Sequence, residues 1–167
     1  GAAVSQATDK GTTPLYIACQ DGKLEISQLL LEAGAAANQA KDGGYTPLGI
    51  ACKKGHVECV QLLLGAGAAV DQAEDGGFTP LHAACQEGHS AVVLCLLRAG
   101  ADTAARTASG ETALQLAKEE GHAECASAIE AAAREAKRAE IEARVERAVA
   151  ERAAAERVEA ERAAEEA

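Results

Sequence analysis

The stretch Thr79-Pro80-Leu81-His82-Ala83-Ala84-Cys85-Gln86-Glu87-Gly88-His89 decides the fold, because its landmarks return at a fixed interval. Thr13-Pro14-Leu15, Thr46-Pro47-Leu48 and Thr112-Ala113-Leu114 restate its opening at steps of 33 residues. Gly22, Gly55, Gly88 and Gly121 keep the same step, as do Ala18, Ala51, Ala84 and Ala117 and the column Leu30, Leu63, Leu96 and Ile129. A period of this size marks one supersecondary unit copied and stacked, not a globule built around a single cleft.

Read physically, the quoted stretch is a helix with both ends written in. Thr79 is an N-cap whose hydroxyl can accept from first-turn amides. Pro80 stands at the first helical position, where its missing N–H costs nothing. Leu81, Ala84 and Cys85 give one apolar face, and Gly88 stops the helix in a left-handed conformation. His89 opens a second helix with Val92, Val93, Leu96 and Leu97 at helical spacing, ended by Gly100. Residues 101–111, rich in Asp, Thr, Ser and Gly, read as an extended loop with a tight turn. Two helices this short cannot bury their apolar sides alone, so neighbouring copies must cover one another.

With Ala84 and His82 completing Thr-Pro-Leu-His-x-Ala, the chain from residue 2 to about 132 resembles the ankyrin repeat family. The resemblance implies an all-α solenoid of helix-turn-helix-loop units with short hairpin-like turns. It divides the chain into a tail of a preceding repeat over residues 1–10 and repeats at 11–43, 44–76, 77–109 and 110–132. Tyr16, Gly49 and Gln115 replace His82 in the other copies, which predicts that the local bond of that histidine is absent from them. Lys23 replaces the column His56, His89 and His122, whose rings are expected to bond the neighbouring loop.

The last copy differs. Ala113 replaces proline, Lys118 replaces the column Cys19, Cys52 and Cys85, and Glu130 replaces Leu31, Leu64 and Leu97. These changes place charge where a further copy would pack, as a capping repeat requires. Ala133 stands where Gly34, Gly67 and Gly100 stop the earlier helices, and no Gly or Pro follows His122. The final helix is therefore expected to run on through 133–167 as a charged, mostly solvated helix of Ala, Glu and Arg. Its charges recur four apart, as in Glu130 to Arg134, Glu140 to Arg144, Arg147 to Glu151, Arg152 to Glu156 and Arg157 to Glu161. Ile141, Val145 and Val149 form one short apolar stripe, and no heptad survives more than two turns.

Composition sets the class of partner. The net charge is −10, with 8 basic against 16 acidic residues in 1–133 and 8 against 10 in 134–167. An acidic stack disfavours nucleic acid and anionic membrane and favours a protein with a basic or neutral surface. No apolar run is long enough to insert in a bilayer. The chain lacks Met, and Ala3-Val4-Ser5-Gln6 matches Ala36-Ala37-Asn38-Gln39, which predicts a piece of a longer protein.

Catalytic readings fail on spacing. The six cysteines fall on apolar columns, Cys59 and Cys125 with Ile26 and Val92, and Cys95 with Leu29 and Leu62. Free Cys behaves there as a small hydrophobe, and reduced thiols point to cytoplasm or nucleus. His56-Val57-Glu58-Cys59 and His122-Ala123-Glu124-Cys125 lack the following Pro-Cys-x-x-Cys that the His-x-Glu of a zinc deaminase needs. Gly65-Ala66-Gly67 is too short for a phosphate loop. The sequence predicts no enzyme, cofactor or metal.

The resemblance implies binding through turn tips and the exposed side of the first helices. At the tips the matching residues are Asp9, Lys10, Thr12, Asp42, Tyr45, Asp75, Phe78, Ser109 and Glu111. On the helices they are Gln20, Lys53, Lys54, Gln86 and Glu87. Tyr45 and Phe78 share one column and make candidate hot spots. The resulting expectation is a non-catalytic protein–protein interaction module or scaffold. The alternatives are a structural subunit docking in a larger complex through Ile141, Val145 and Val149, and the targeting part of a larger enzyme.

Overall fold

The computed structural model describes residues 3–165, with Glu165 as backbone only. The ends of the expected tail (residues 1 and 2) and of the expected long helix (166 and 167) lie outside the described residues. Eight helices follow in order: α1 (Pro14–Gln20), α2 (Leu24–Glu32), α3 (Pro47–Lys54), α4 (Val57–Gly65), α5 (Pro80–Glu87), α6 (Ser90–Arg98), α7 (Ala113–Glu119) and α8 (Ala123–Glu165). Among the described residues there is no strand, only an isolated antiparallel bridge between Arg106 and Thr112.

The helix starts obey the sequence. Thr13, Thr46, Thr79 and Thr112 all cap with extended backbone, their hydroxyls accepting from the amides of Tyr16, Gly49, His82 and Gln115. All three prolines sit at the first helical turn. At the other end Gly88 adopts φ 77°, and a Cβ there would meet the His122 ring at 2.5 Å. Glycine is thus required both for the left-handed turn and for the approach of the next copy. That ring belongs to the series expected to bond the neighbouring loop, but its members reach helix-end carbonyls instead. Nε2 of His56, His89 and His122 lies 3.1 Å from the carbonyls of Gln20, Lys53 and Gln86. Each histidine thereby satisfies a carbonyl left without a partner at the end of the preceding copy's first helix.

Stacking runs in two rows, α1 on α3, α5 and α7, and α2 on α4 and α6. The core between the rows repeats Leu15, Leu48 and Leu81, each about 1% exposed or less, with Leu63 and Leu96 at 0%. Burying one such leucine is worth roughly 1.5–3 kcal/mol. Neighbouring turns are also joined through their backbones: Asp42 donates to the Lys10 carbonyl (3.0 Å), Asp75 to Gly43 (2.9 Å) and Ala108 to Gly76 (2.8 Å). Behind the helices a second series operates. Ser5, Asn38 and Asp71 accept through their side chains from the amides of Ala36, Ala69 and Asp102, one copy onward.

The apolar columns are not uniformly buried. Cys59, Val92 and Cys125 are 2% exposed or less, but Ile26 in the same column is 52% exposed and Leu29 is 64% exposed. Among the described residues no copy precedes α2 to cover them. Cys95 is half-buried instead of buried, and Gln61 Nε2 lies 3.6 Å from its sulfur. At the other end Lys118 and Glu130, expected as separate polar substitutions, pair with each other at 2.8 Å.

The chain divides after Glu130 into two units. Residues 131–164 contain no buried side chain. Within them Arg138–Glu142 and Arg152–Glu156 close at 3.1 Å. Arg147, expected to reach Glu151, instead donates to the Ala143 carbonyl. Ile141, Val145 and Val149 are 63%, 56% and 63% exposed.

Candidate functional site

The turns of the second and third copies hang beside the first helices and leave a groove of about 390 Å³ between them. Tyr45 and Phe78 stand on the turn side, and Gly49, Ile50, Lys53, Ala83 and Gln86 on the helix side, with Tyr16 and Lys41 at one end. Of the residues expected from sequence, the groove gathers Tyr45, Lys53, Phe78 and Gln86.

The two aromatics of the shared column differ in their surroundings. Tyr45 is 43% exposed. The charge and hydrogen bond of Glu74 push its hydroxyl pKa up. Phe78 is half-buried and meets His82 edge-on, with ring centroids 5.9 Å apart. Lys41 places its ammonium 5.2 Å from the Tyr16 ring centroid and 5.6 Å from that of Tyr45. That is cation–π range for both rings. Tyr16 is buried, and burial raises its pKa.

His82 is wholly buried and fully used. The Thr79 N–H donates to Nδ1 at 3.3 Å, and Nε2 faces the Glu111 carbonyl at 3.2 Å. These partners assign the proton to Nε2. Burial lowers the ring's pKa, against the opposing pull of the Glu111 carbonyl. The expectation that only the third copy makes this local bond needs correction. Gln115 Oε1 accepts from the Thr112 N–H at 2.9 Å, a carboxamide doing the work of the ring. Tyr16 and Gly49 make no such return bond.

The remaining candidates lie along the tips and helix ends. Asp9, Lys10, Asp42 and Asp75 are exposed at the turns, and Thr12 is half-buried, its N–H bonded to the Thr8 hydroxyl. Gln20, Lys54 and Glu87 are exposed at the ends of α1, α3 and α5. In the fourth turn Ser109 donates to Glu111, and Thr107 Oγ1 lies 2.8 Å from Ser109 Oγ. Ile141, Val145 and Val149 belong to the second unit. Sequence reasoning missed Lys41, whose signal is only its place at the start of a turn. Its ring partners come from two different copies.

Burial raises the thiol pKa values of Cys19 to about 11 and Cys85 to about 12, and those of Cys52, Cys59 and Cys125 upward as well. These groups stay protonated near neutral pH and make poor nucleophiles. Among the described residues no group of three His, Cys, Asp or Glu side chains is placed to hold a metal ion. No helix there is long and apolar enough to cross a membrane.

A family model described as ankyrin repeats (3 copies) matches residues 1–74 and 67–134. The chain belongs to the ankyrin repeat family. No curated protein matches it. Ankyrin repeats generally mediate protein–protein interaction, and the family is typically non-catalytic.

Proposed function

We propose that this ankyrin chain is a non-catalytic interaction module that holds a protein partner along its turn tips and in the groove over its first helices. The observation that carries the reading is Tyr45, which is 43% exposed and turned toward an open groove although aromatics are scarce in the chain. Aromatic anchors beside a concave face are the usual centres of binding energy. The acidic excess of 8 basic against 16 acidic residues in 1–133 favours a partner with a basic or neutral surface. The buried, protonated thiols fit a reducing compartment, cytoplasm or nucleus. In this reading the four repeats span 11–43, 44–76, 77–109 and 110–132.

The test begins with a partner recovered by pull-down with the intact chain from its native extract. Tyr45→Ala combined with Phe78→Ala is expected to weaken its capture by tenfold or more, since hot-spot truncations cost about 2 kcal/mol or more. Unchanged affinity in a folded double variant would remove the groove from the reading. A second reading rests on the exposed stripe Ile141, Val145 and Val149. In it the long helix is a docking arm in a larger assembly, and deleting residues 134–167 abolishes incorporation while capture by the repeats persists.

A further inference from the structure

Of the column Tyr16, Gly49, His82 and Gln115, only Gly49 brings no side chain to its place. In the third copy that place is a finished receptor. The Thr79 N–H donates to one edge of the imidazole, and the opposite edge meets the Glu111 carbonyl of the next copy at 3.2 Å. The equivalent groups one copy earlier are the Thr46 N–H and the Phe78 carbonyl. Thr46 is 3% exposed, and among the described residues nothing accepts from its N–H. The Phe78 carbonyl accepts from the Glu74 N–H at 3.1 Å, just as the Glu111 carbonyl accepts from Thr107 at 3.0 Å alongside the ring. A second lone pair therefore remains on it.

The space is polar and is bounded closely on one side only. A Cβ at Gly49 would meet only the Thr46 hydroxyl, at 3.3 Å. Gly49 also lines the groove of about 390 Å³, so the notch is reached from the surface. Its surroundings in the groove are a donor, an acceptor one copy away, and Tyr45, which holds the column place of the Phe78 ring that meets His82 edge-on. They occupy the register places of the groups that seat His82 in the copy beside it.

Resting on the protein-binding reading above, we infer that the notch at Gly49 receives an imidazole side chain from the partner. A histidine in an extended segment lying along the groove takes there, from outside, the place that His82 takes from within. Gln115, in the last copy, meets only its own cap, accepting from the Thr112 N–H and hydroxyl, whereas the imidazole of His82 joins two copies.

The probe is 4-methylimidazole, titrated into the full chain at pH 8, where most of the ring is neutral, and followed by amide NMR. Saturable shifts centred on Thr46 and Gly49 are expected. In Gly49→His they vanish or weaken by about tenfold or more, because the introduced ring fills the notch, and the melting temperature rises as a helical glycine is replaced. Gly49→Gln, patterned on Gln115, serves if the histidine variant does not fold. Shifts that fail to saturate, that have no centre at Thr46, or that survive both substitutions overturn the inference. Its failure is distinct from failure of the module itself, which is judged by partner capture with the Tyr45 and Phe78 variants.

Discussion

The repeats and the C-terminal part of α8 are held by different physics. In the repeats three series of bonds tie each copy to the next: the His56, His89 and His122 rings, the turn-to-turn amides, and the side chains of Ser5, Asn38 and Asp71. Residues 131–164 have no buried side chain and rely on their own backbone, on alanine, and on pairs such as Arg138–Glu142. Stability in the first region is therefore a neighbour effect, and in the second a local one. Length sustains the second: α8 runs to Glu165, and its part beyond Glu130 alone is well past the ~12–15 residues at which isolated helices become marginal.

The largest expected effect comes from the repeat core. Leu96→Ala removes a side chain that is 0% exposed. It should cost about 2–5 kcal/mol, read in urea by tyrosine fluorescence. Both tyrosines lie in the repeats, so this signal reports that region alone. A loss below about 1 kcal/mol would mean that copies do not depend on their neighbours. Next comes Ala143→Pro, which interrupts the backbone bonds of α8 at a local cost of about 3 kcal/mol. Far-UV helicity should fall while the tyrosine-detected urea midpoint stays in place. A moved midpoint would contradict the division into neighbour-held and locally held regions.

A smaller effect concerns pH. Because burial lowers the His82 pKa, the unfolded chain binds the proton more readily. Stability is then full above the ordinary histidine value of about 6.5 and declines as pH falls below it. His82→Gln, with Gln115 as precedent, should flatten melting temperature between pH 7 and 5 relative to the parent. Equal slopes would show that His82 is not the group responsible. The smallest effect belongs to Arg152→Ala, whose pair with Glu156 is exposed on both sides. It should change helicity and stability by less than about 0.5 kcal/mol.

The architecture was legible because its determinants are local and periodic. Thr79, Pro80 and Gly88 state where a helix begins and ends, and the 33-residue step states that the statement is made again. The missing stop at Ala133 likewise announced α8. What escaped was whatever depends on contacts between copies. Gln115 restores a bond that its residue type did not advertise, and Lys118 and Glu130, twelve residues apart, find each other only in three dimensions. Lys41 gains its place from two rings in different copies. Column membership also overstated burial, because Ile26 and Cys59 share a column and not an environment. Tyr45 and Phe78 stood out in sequence, but their unequal exposure follows from His82, which only one of them touches.

The Lys118–Glu130 pair has an architectural consequence. It closes one end with a single charge match, and the interior joints share the same three series of bonds. Tandem duplication of residues 77–109 would insert a new joint of the existing kind and leave both terminal faces untouched. The stack can thus be lengthened in fixed increments, like adding leaves to a table, while the end panel stays where it was.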